Sequence, residues 1–488
     1  MASFSSFLIT KKFPHAKTLR TLLRWPLTGL AALFYGVFFA LCATVFLLII
    51  TINKKYLVEL PAQGGNLTEG VIGAPRFINP LLATTETDQR LIALVYGNLT
   101  DDIDTYSFSP DGKIITLTLH PGLRFGDGKP LTSDDVAFTV QKMQDATISH
   151  SSEYWQNITI ETPDAQTVIF TLPAPDVTFI SRMSFNILPK HIWTTIPDES
   201  FTTAKQNLHP VGSGAFKVSS ISYTDGMPSS VTLKRNKYFI GGQALLRTLT
   251  LATYANQTEL LSAITNGDID FTYSLTPETV SLNNLPTSLI NTTVTTNEGV
   301  NLYRSSNDSA LANPSTISTI NQSIDKKAIV DTVVYGYGTP SGVLTNPAQA
   351  GTATRTNKTI SIPGFSIAVE NDPQMLLAAQ TLAQQLQKIG ANVSVKAFDP
   401  GAFQKNITAG GFSVFLARSS DVTIPAQYSI ALPLYTEALP YVFNTTTHTI
   451  ISNTLESPTT EYEDVKDWYT NTDKLWKWFR KDTSTQQK

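Results

Sequence analysis

From Leu27 to Ile52 the chain reads LTGLAALFYGVFFALCATVFLLIITI, a run without a single charge. A helix of that length crosses a hydrocarbon core about 30 Å thick. Lys11, Lys12, Lys17, Arg20 and Arg24 precede the run, and only Lys54 and Lys55 follow it closely. The positive-inside bias therefore predicts a basic cytoplasmic tail over 1–26, a transmembrane helix over 27–52 and everything beyond Asn53 outside the cell membrane. The run is longer than the apolar core of a usual signal peptide, and no small-x-small pair lies just after it, which argues against cleavage. Cys42 follows Leu41, where a lipidation site requires a small residue, so Cys42 reads as a buried membrane residue.

A linker over 53–65 ends in Gln63-Gly64-Gly65, and the body begins at Asn66. Seven Lys or Arg precede the first acidic residue, Glu59; with −3 on the whole chain, the remainder carries −10. Such a body repels nucleic acid, and it has no basic patch with interleaved aromatics. It also has no cysteine, so its stability must come from core burial, for which 42% hydrophobic residues suffice. The six histidines are scattered, with no HxxxH or HExxH spacing, so neither a metal site nor a cofactor is expected. No nucleophile with a paired base and no phosphate loop is visible, which disfavours an enzyme.

The organising stretch of the body is Leu117 to Met143, LTLHPGLRFGDGKPLTSDDVAFTVQKM. Ile115, Leu117 and Leu119 alternate as one face of a strand, and Gly126-Asp127-Gly128 turns the chain. Thr132 and Ser133 sit where helix caps belong, Asp134 and Asp135 suit the first turn, and Val136, Val140 and Met143 recur at helical spacing. Further on, a strand over 365–369, an amphipathic helix over 373–389 and a strand over 392–398 predict a parallel pair joined by a right-handed crossover.

The run P-G-L-R-F, D-G-K-P-L-T-S-D-D-V resembles the signature of the family 5 extracellular solute-binding proteins, the peptide-binding subunits of ABC importers. Other segments resemble the same family in the same order. They are Gly70, Gly73, Pro75, Asn79 and Pro80 with Tyr96 and Leu99; Leu188-Pro189-Lys190; Pro210 to Val218 around Gly212-Ser213-Gly214; Leu233 to Gly241; Gly267-Asp268-Ile269-Asp270; Ile320 to Val330; and Leu432 to Tyr435. Gly212 and Gly214 also read as a backbone path that side chains would block.

The resemblance implies an α/β, two-lobed, periplasmic-binding-protein-like (type II, Venus-flytrap) fold. Lobe I is expected over 66–300 and lobe II over 301–430, with a first crossing near Thr296 to Ser306. A return to lobe I covers 431–458. The interval between Gly411–Pro425 and Leu432–Tyr435 is much shorter than in most members, so lobe II is expected to be shortened. A C-terminal amphipathic helix is expected over 459–488, with Val465, Trp468, Thr472, Leu475, Trp476 and Phe479 as one stripe, either docked on lobe I or meeting a membrane surface or permease.

The function implied is capture of an oligopeptide or similar small solute in the interlobe cleft and its delivery to ABC permease subunits. Asp421 is the position implied for binding an α-ammonium, against a solvated loop aspartate as the alternative. Arg418 is placed to meet a carboxylate, or else lies on the surface. Tyr154 and Trp155 fall where the family projects aromatics into the cleft, with core packing as the other reading. Asn79 belongs to a cleft-lining loop. A non-transport peptide sensor or interaction protein, in which the shortened lobe no longer closes, is the alternative function.

Overall fold

The computed structural model describes residues 29–148, 152–176, 178–306, 311, 313–341, 364–419, 424–445, 447, 454–455, 462 and 464–476. The chain divides into two compact units, Met1–Leu60 with Thr472–Lys488, and Pro61–Asn471. In the first, Gly29–Tyr56 is one helix whose Ala32–Ile52 portion is long and apolar enough to cross a membrane. Among its described side chains, Leu33, Phe34, Phe39 and Phe46 are exposed.

Two sequence expectations are corrected here. The linker expected over 53–65 is largely ordered, because the helix continues to Tyr56 and Leu57–Ala62 is a strand. The helix expected over 459–488 is, within the described residues, a single 3-10 turn at Val465–Asp467 followed by a strand at Asn471–Trp476 that pairs with Leu57–Ala62. The physical reason lies in Trp468, whose backbone is extended (φ −69°, ψ 138°) so that its ring can be buried against Phe271 and Tyr462. Thr470-Asn471-Thr472 then favours a turn and strand over a helix interior. Residues 477–488 lie outside the described residues.

The second unit contains three main hydrophobic cores. The first packs the strands Asn66–Ile72, Thr248–Tyr254, Met227–Arg235 and Phe216–Thr224 under the helix Glu86–Val95, with Leu67, Leu91, Phe216, Leu249, Phe271 and Trp468 buried. The second holds the crossover predicted from sequence: Phe365–Glu370 and Val393–Phe398 are parallel and joined by the helix Pro373–Lys388, whose Met375, Ala379, Leu382 and Leu386 face inward. The third lies under a four-stranded antiparallel sheet that includes Ile103–Phe108 and Ile114–Leu119. Ile115, Leu117 and Leu119 are buried there, as the alternation predicts, beneath the helix Ser133–Met143.

One long sheet joins the first two cores. Its path is Val393–Phe398, Phe365–Glu370, Val414–Arg418, Leu289–Ser305, Tyr428–Asn444, Phe271–Thr272, Asn66–Ile72, Thr248–Tyr254, Met227–Arg235 and Phe216–Thr224. The 17-residue strand Leu289–Ser305 carries the chain outward: Val294 packs in the first core and Val300 in the second. Tyr428–Asn444 brings it back, with Leu432, Leu434 and Tyr435 still in the second core and Tyr441 in the first. The return expected at residue 431 thus falls several residues later. Between the cores the two strands lose regular register at Thr295–Gly299, an irregularity that lets a strand pair bend.

The segments that carry the family resemblance interlock. Asp135 accepts the Thr132 amide at 2.8 Å and the Lys190 amide at 2.9 Å, while Lys190 Nζ meets Asp134 at 3.0 Å and His191 Nε2 lies 2.8 Å from Asp127. The Gly126 amide donates to the Gly212 carbonyl at 2.8 Å, and Lys217 Nζ reaches the Gly126 carbonyl at 3.2 Å. The DGKPLTSDD run, the PKH segment and the VGSG loop are therefore one polar clasp holding the third core to the first.

Candidate functional site

Strand polarity locates the site. In the first lobe Phe271–Thr272, Asn66–Ile72 and Thr248–Tyr254 run parallel. The return strand leaves the crossing and is antiparallel to Phe271–Thr272, so the carboxyl ends of this trio point at the crossing. In the second lobe Phe365–Glu370 runs parallel to Val414–Arg418, and Arg418 pairs with Val300 where the outbound strand arrives. Both sets of strands therefore end on the same crevice, where open α/β sheets place ligands.

The first lip is the loop after Ile72, and it is held by side chains of the following helix. Thr87 Oγ1 donates to the carbonyls of Ile72 (3.0 Å) and Gly73 (3.1 Å), and Asp88 Oδ1 accepts the amides of Arg76 (2.7 Å) and Phe77 (3.0 Å). Asn79 is fully buried; its Oδ1 accepts the Leu81 amide at 3.0 Å and its Nδ2 donates to Asn207 at 2.9 Å. Asn79 thus staples the lip rather than facing a ligand, a correction to its expected role. The exposed side chain on this loop is Arg76, with its guanidinium 5.7 Å from the centre of the Phe77 ring.

The second lip carries a charged cluster. Arg418 Nε donates to Glu437 Oε1 at 3.1 Å, Nη2 donates to Gln374 Oε1 at 2.9 Å, and Asp372 Oδ1 lies 3.7 Å from Nη2. Arg418 is therefore neutralised internally by carboxylates of the return strand and of the cap of helix Pro373–Lys388. Beside it the buried Tyr435 hydroxyl makes no hydrogen bond, and burial with the nearby Glu437 charge raises its pKa. Ser419 ties the cluster to the crossing, since its amide donates to the Gly299 carbonyl at 2.9 Å and its Oγ accepts the Gly299 amide at 3.0 Å. Asp421 lies outside the described residues.

Tyr154 and Trp155 do not reach this crevice. Trp155 is buried in the third core, edge-on to Phe179 and Phe185. Tyr154 donates to Asp176 at 3.2 Å under the Arg182 guanidinium, 4.5 Å from its ring centre. Core packing, the other reading of this pair, is the one realised, because a Tyr-Trp dipeptide on one short helical turn fills the gap under the antiparallel sheet. Asn79, Arg418 and the aromatic pair thus occupy three separate places. Sequence reasoning passed over Arg76, Asp372, Tyr435 and Glu437; Arg76 stood inside a quoted loop motif, and Tyr435 ended another.

Two α/β lobes joined by a pair of long strands, each ending its parallel strands on the shared crevice, define a periplasmic-binding-protein-like fold. The chain belongs to the bacterial extracellular solute-binding proteins, family 5, whose middle-region model matches residues 78–361. It is 28% identical over 234 residues to the oligopeptide-binding protein AppA of Bacillus subtilis, a match covering 45% of this chain and 42% of that protein. It is 24% identical over 369 residues to the glutathione-binding protein GsiB of Pectobacterium atrosepticum, covering 70% of each. The match to the first of these relatives thus spans about two fifths of its length. The fold is similar to that of the ABC transporter substrate-binding protein CtaP of Listeria monocytogenes, with a TM-score of 0.64 at 21% identity over 84% of this chain and 100% of that one. It is also similar to AppA of Bacillus subtilis in complex with a nonapeptide, with a TM-score of 0.55 at 18% identity over 84% and 99%.

Proposed function

We propose that this chain is the ligand-capturing subunit of an ABC importer and that it holds an oligopeptide, or a similar small solute, between its lobes. The convergence of both lobes' strand ends on one crevice carries this reading. Lips bearing charges of both signs suit a ligand with an amine at one end and a carboxylate at the other. Arg76 on the first lip is the cation offered to the ligand carboxylate. Asp421, three residues beyond Arg418, is offered to the α-ammonium. Closure bends the two crossing strands at their irregular stretch, and the ligand works by binding the closed form better than the open one. The Ala32–Ile52 helix anchors the protein in the cell membrane with its N-terminus cytoplasmic, so the loaded body stays beside its permease.

Titration calorimetry with mixed-sequence peptides tests this reading. Free-amine peptides are expected to bind, and N-acetylation or Asp421→Asn is expected to weaken binding about ten- to hundredfold, the value of one charge-assisted hydrogen bond. Absence of heat with every peptide class would overturn it.

A further inference from the structure

The unit that holds the apolar helix also brings together two parts of the chain that are far apart in sequence. Leu57–Ala62 follows the helix Gly29–Tyr56 without an intervening residue, and its partner strand is Asn471–Trp476. Gly64 and Gly65, just beyond the first strand, abut Asn471 and Thr470 at the start of the second. The two strands therefore run antiparallel, and the far end of the second, Trp476, lies toward Leu57 and the helix end. Ile52 closes the apolar span, so Tyr56 stands about 6 Å further along the helix, near the outer edge of a headgroup layer about 5–7 Å deep. Trp476 falls within a few residues of Leu57, so an extended chain gaining about 3.3 Å per residue regains the headgroups soon after it. From 474 to 481 the sequence reads KLWKWFRK, with Lys474, Lys477, Arg480 and Lys481 as cations, Trp476, Trp478 and Phe479 as aromatics, and no carboxylate. Glu59 and Asp473 are the acidic residues of the strand pair, Asp482 follows the run, and Lys54 and Lys55 lie in the last turn of the helix. Tryptophan at the membrane–water interface and Lys or Arg against anionic headgroups are the residue types that hold a chain there.

We propose that residues 474–481 make a second membrane contact, in which the strand pair delivers them to the outer leaflet beside the helix, their aromatic residues enter the headgroup layer and their cations pair with anionic lipid phosphates. This inference rests on the reading of Ala32–Ile52 as a membrane anchor. The partner is the lipid surface itself. The apolar helix fixes the unit's depth, and the returning segment adds a contact whose strength depends on anionic lipid and on salt.

The test uses the full chain in nanodiscs of equal parts phosphatidylcholine and phosphatidylglycerol, with an environment-sensitive fluorophore on one cysteine and nitroxide lipids as quenchers. In the chain carrying Cys42→Ser and Thr483→Cys, a nitroxide close to the headgroup is expected to quench the label strongly and one at the acyl-chain end weakly. Replacing phosphatidylglycerol with phosphatidylcholine, or Lys474, Lys477, Arg480 and Lys481 together with Gln, is expected to cut that quenching at least about fivefold, the value of one cation at an anionic surface. Trp478→Ser with Phe479→Ser is expected to cut it as well, which separates entry into the headgroup layer from charge attraction alone. The anchor is read independently from a label on the native Cys42, midway along Ala32–Ile52, which the nitroxide at the acyl-chain end is expected to quench. Quenching at Cys42 with none at Thr483→Cys would overturn the second contact and leave the anchor standing. No quenching at Cys42 would overturn the anchor and this inference with it. Quenching at Thr483→Cys that the four Gln substitutions leave unchanged would also overturn the second contact.

Discussion

Arg90→Met is expected to destabilise the first lobe by about 3–5 kcal/mol, the usual cost of stranding one member of a buried ion pair. Arg90 is 1% exposed; its Nη1 lies 2.6 Å from Glu69 Oε1 and its Nη2 lies 2.7 Å from Glu86. Glu69, fully buried, also accepts the Tyr462 hydroxyl at 2.6 Å. Removing the guanidinium leaves Glu69 with one neutral donor in the centre of the first core. Burial raises the Glu69 carboxyl despite the opposing pull of Arg90 and Tyr462. A carboxyl raised on folding contributes stability at low pH that is lost as pH rises through its folded value. Without Arg90 the raise is larger, so the deficit of the variant is expected to be greater at pH 7.5 than at pH 4.5. Urea unfolding followed at the two pH values reads both effects. Arg90→Met combined with Glu69→Met should recover much of the loss, because an apolar pair of similar volume is often tolerated. A single-variant deficit under about 1 kcal/mol would contradict the assignment. The consequence reaches the crevice, because Arg90 ties the helix carrying Thr87 and Asp88 to the strand carrying the first lip.

Gly212→Ala is expected to cost about 1–3 kcal/mol or more by overpacking. A Cβ at this position would stand 2.2 Å from the Val95 carbonyl oxygen and 2.8 Å from its carbon, both backbone atoms that no rotamer change can move. The Gly214 amide donates to the same Val95 carbonyl at 2.9 Å, and the Gly212 carbonyl receives the Gly126 amide, so a shift of this loop also loosens the clasp. Gly401→Ala is the matched control: it lies in the helix Pro400–Ala409 with nothing near the added Cβ, and helix propensity makes it neutral or stabilising by up to about 1 kcal/mol. Thermal unfolding of the three proteins in parallel separates steric crowding from glycine replacement as such. Equal melting of Gly212→Ala and the parent would refute the close approach.

The strands and helices were legible where periodicity was unambiguous. Ile115, Leu117 and Leu119 alternate into a core, and the 365–398 segment spells out its own crossover. The C-terminal stripe misled because Val465 and Trp468 meet the helical spacing while each is buried by a turn and an extended residue. The candidate site was far less legible. Asn79 and the Gly-Ser-Gly loop belong to motifs, yet they act through backbone docking, which shapes the site without lining it. Arg418, Asp372 and Glu437 come together only because one strand's end, the middle of the return strand and a helix cap meet at the crossing, and separations of 46 and 19 residues along the chain leave no local pattern. Only the tertiary path of the sheet makes them neighbours.

Native mass spectrometry of the full chain, released from detergent before and after denaturation and refolding, is the most direct test of ligand capture. The proposed function predicts a ladder of bound masses in the peptide range that disappears on refolding and returns when a peptide mixture is added. A bare protein that stays bare in the presence of that mixture would contradict it.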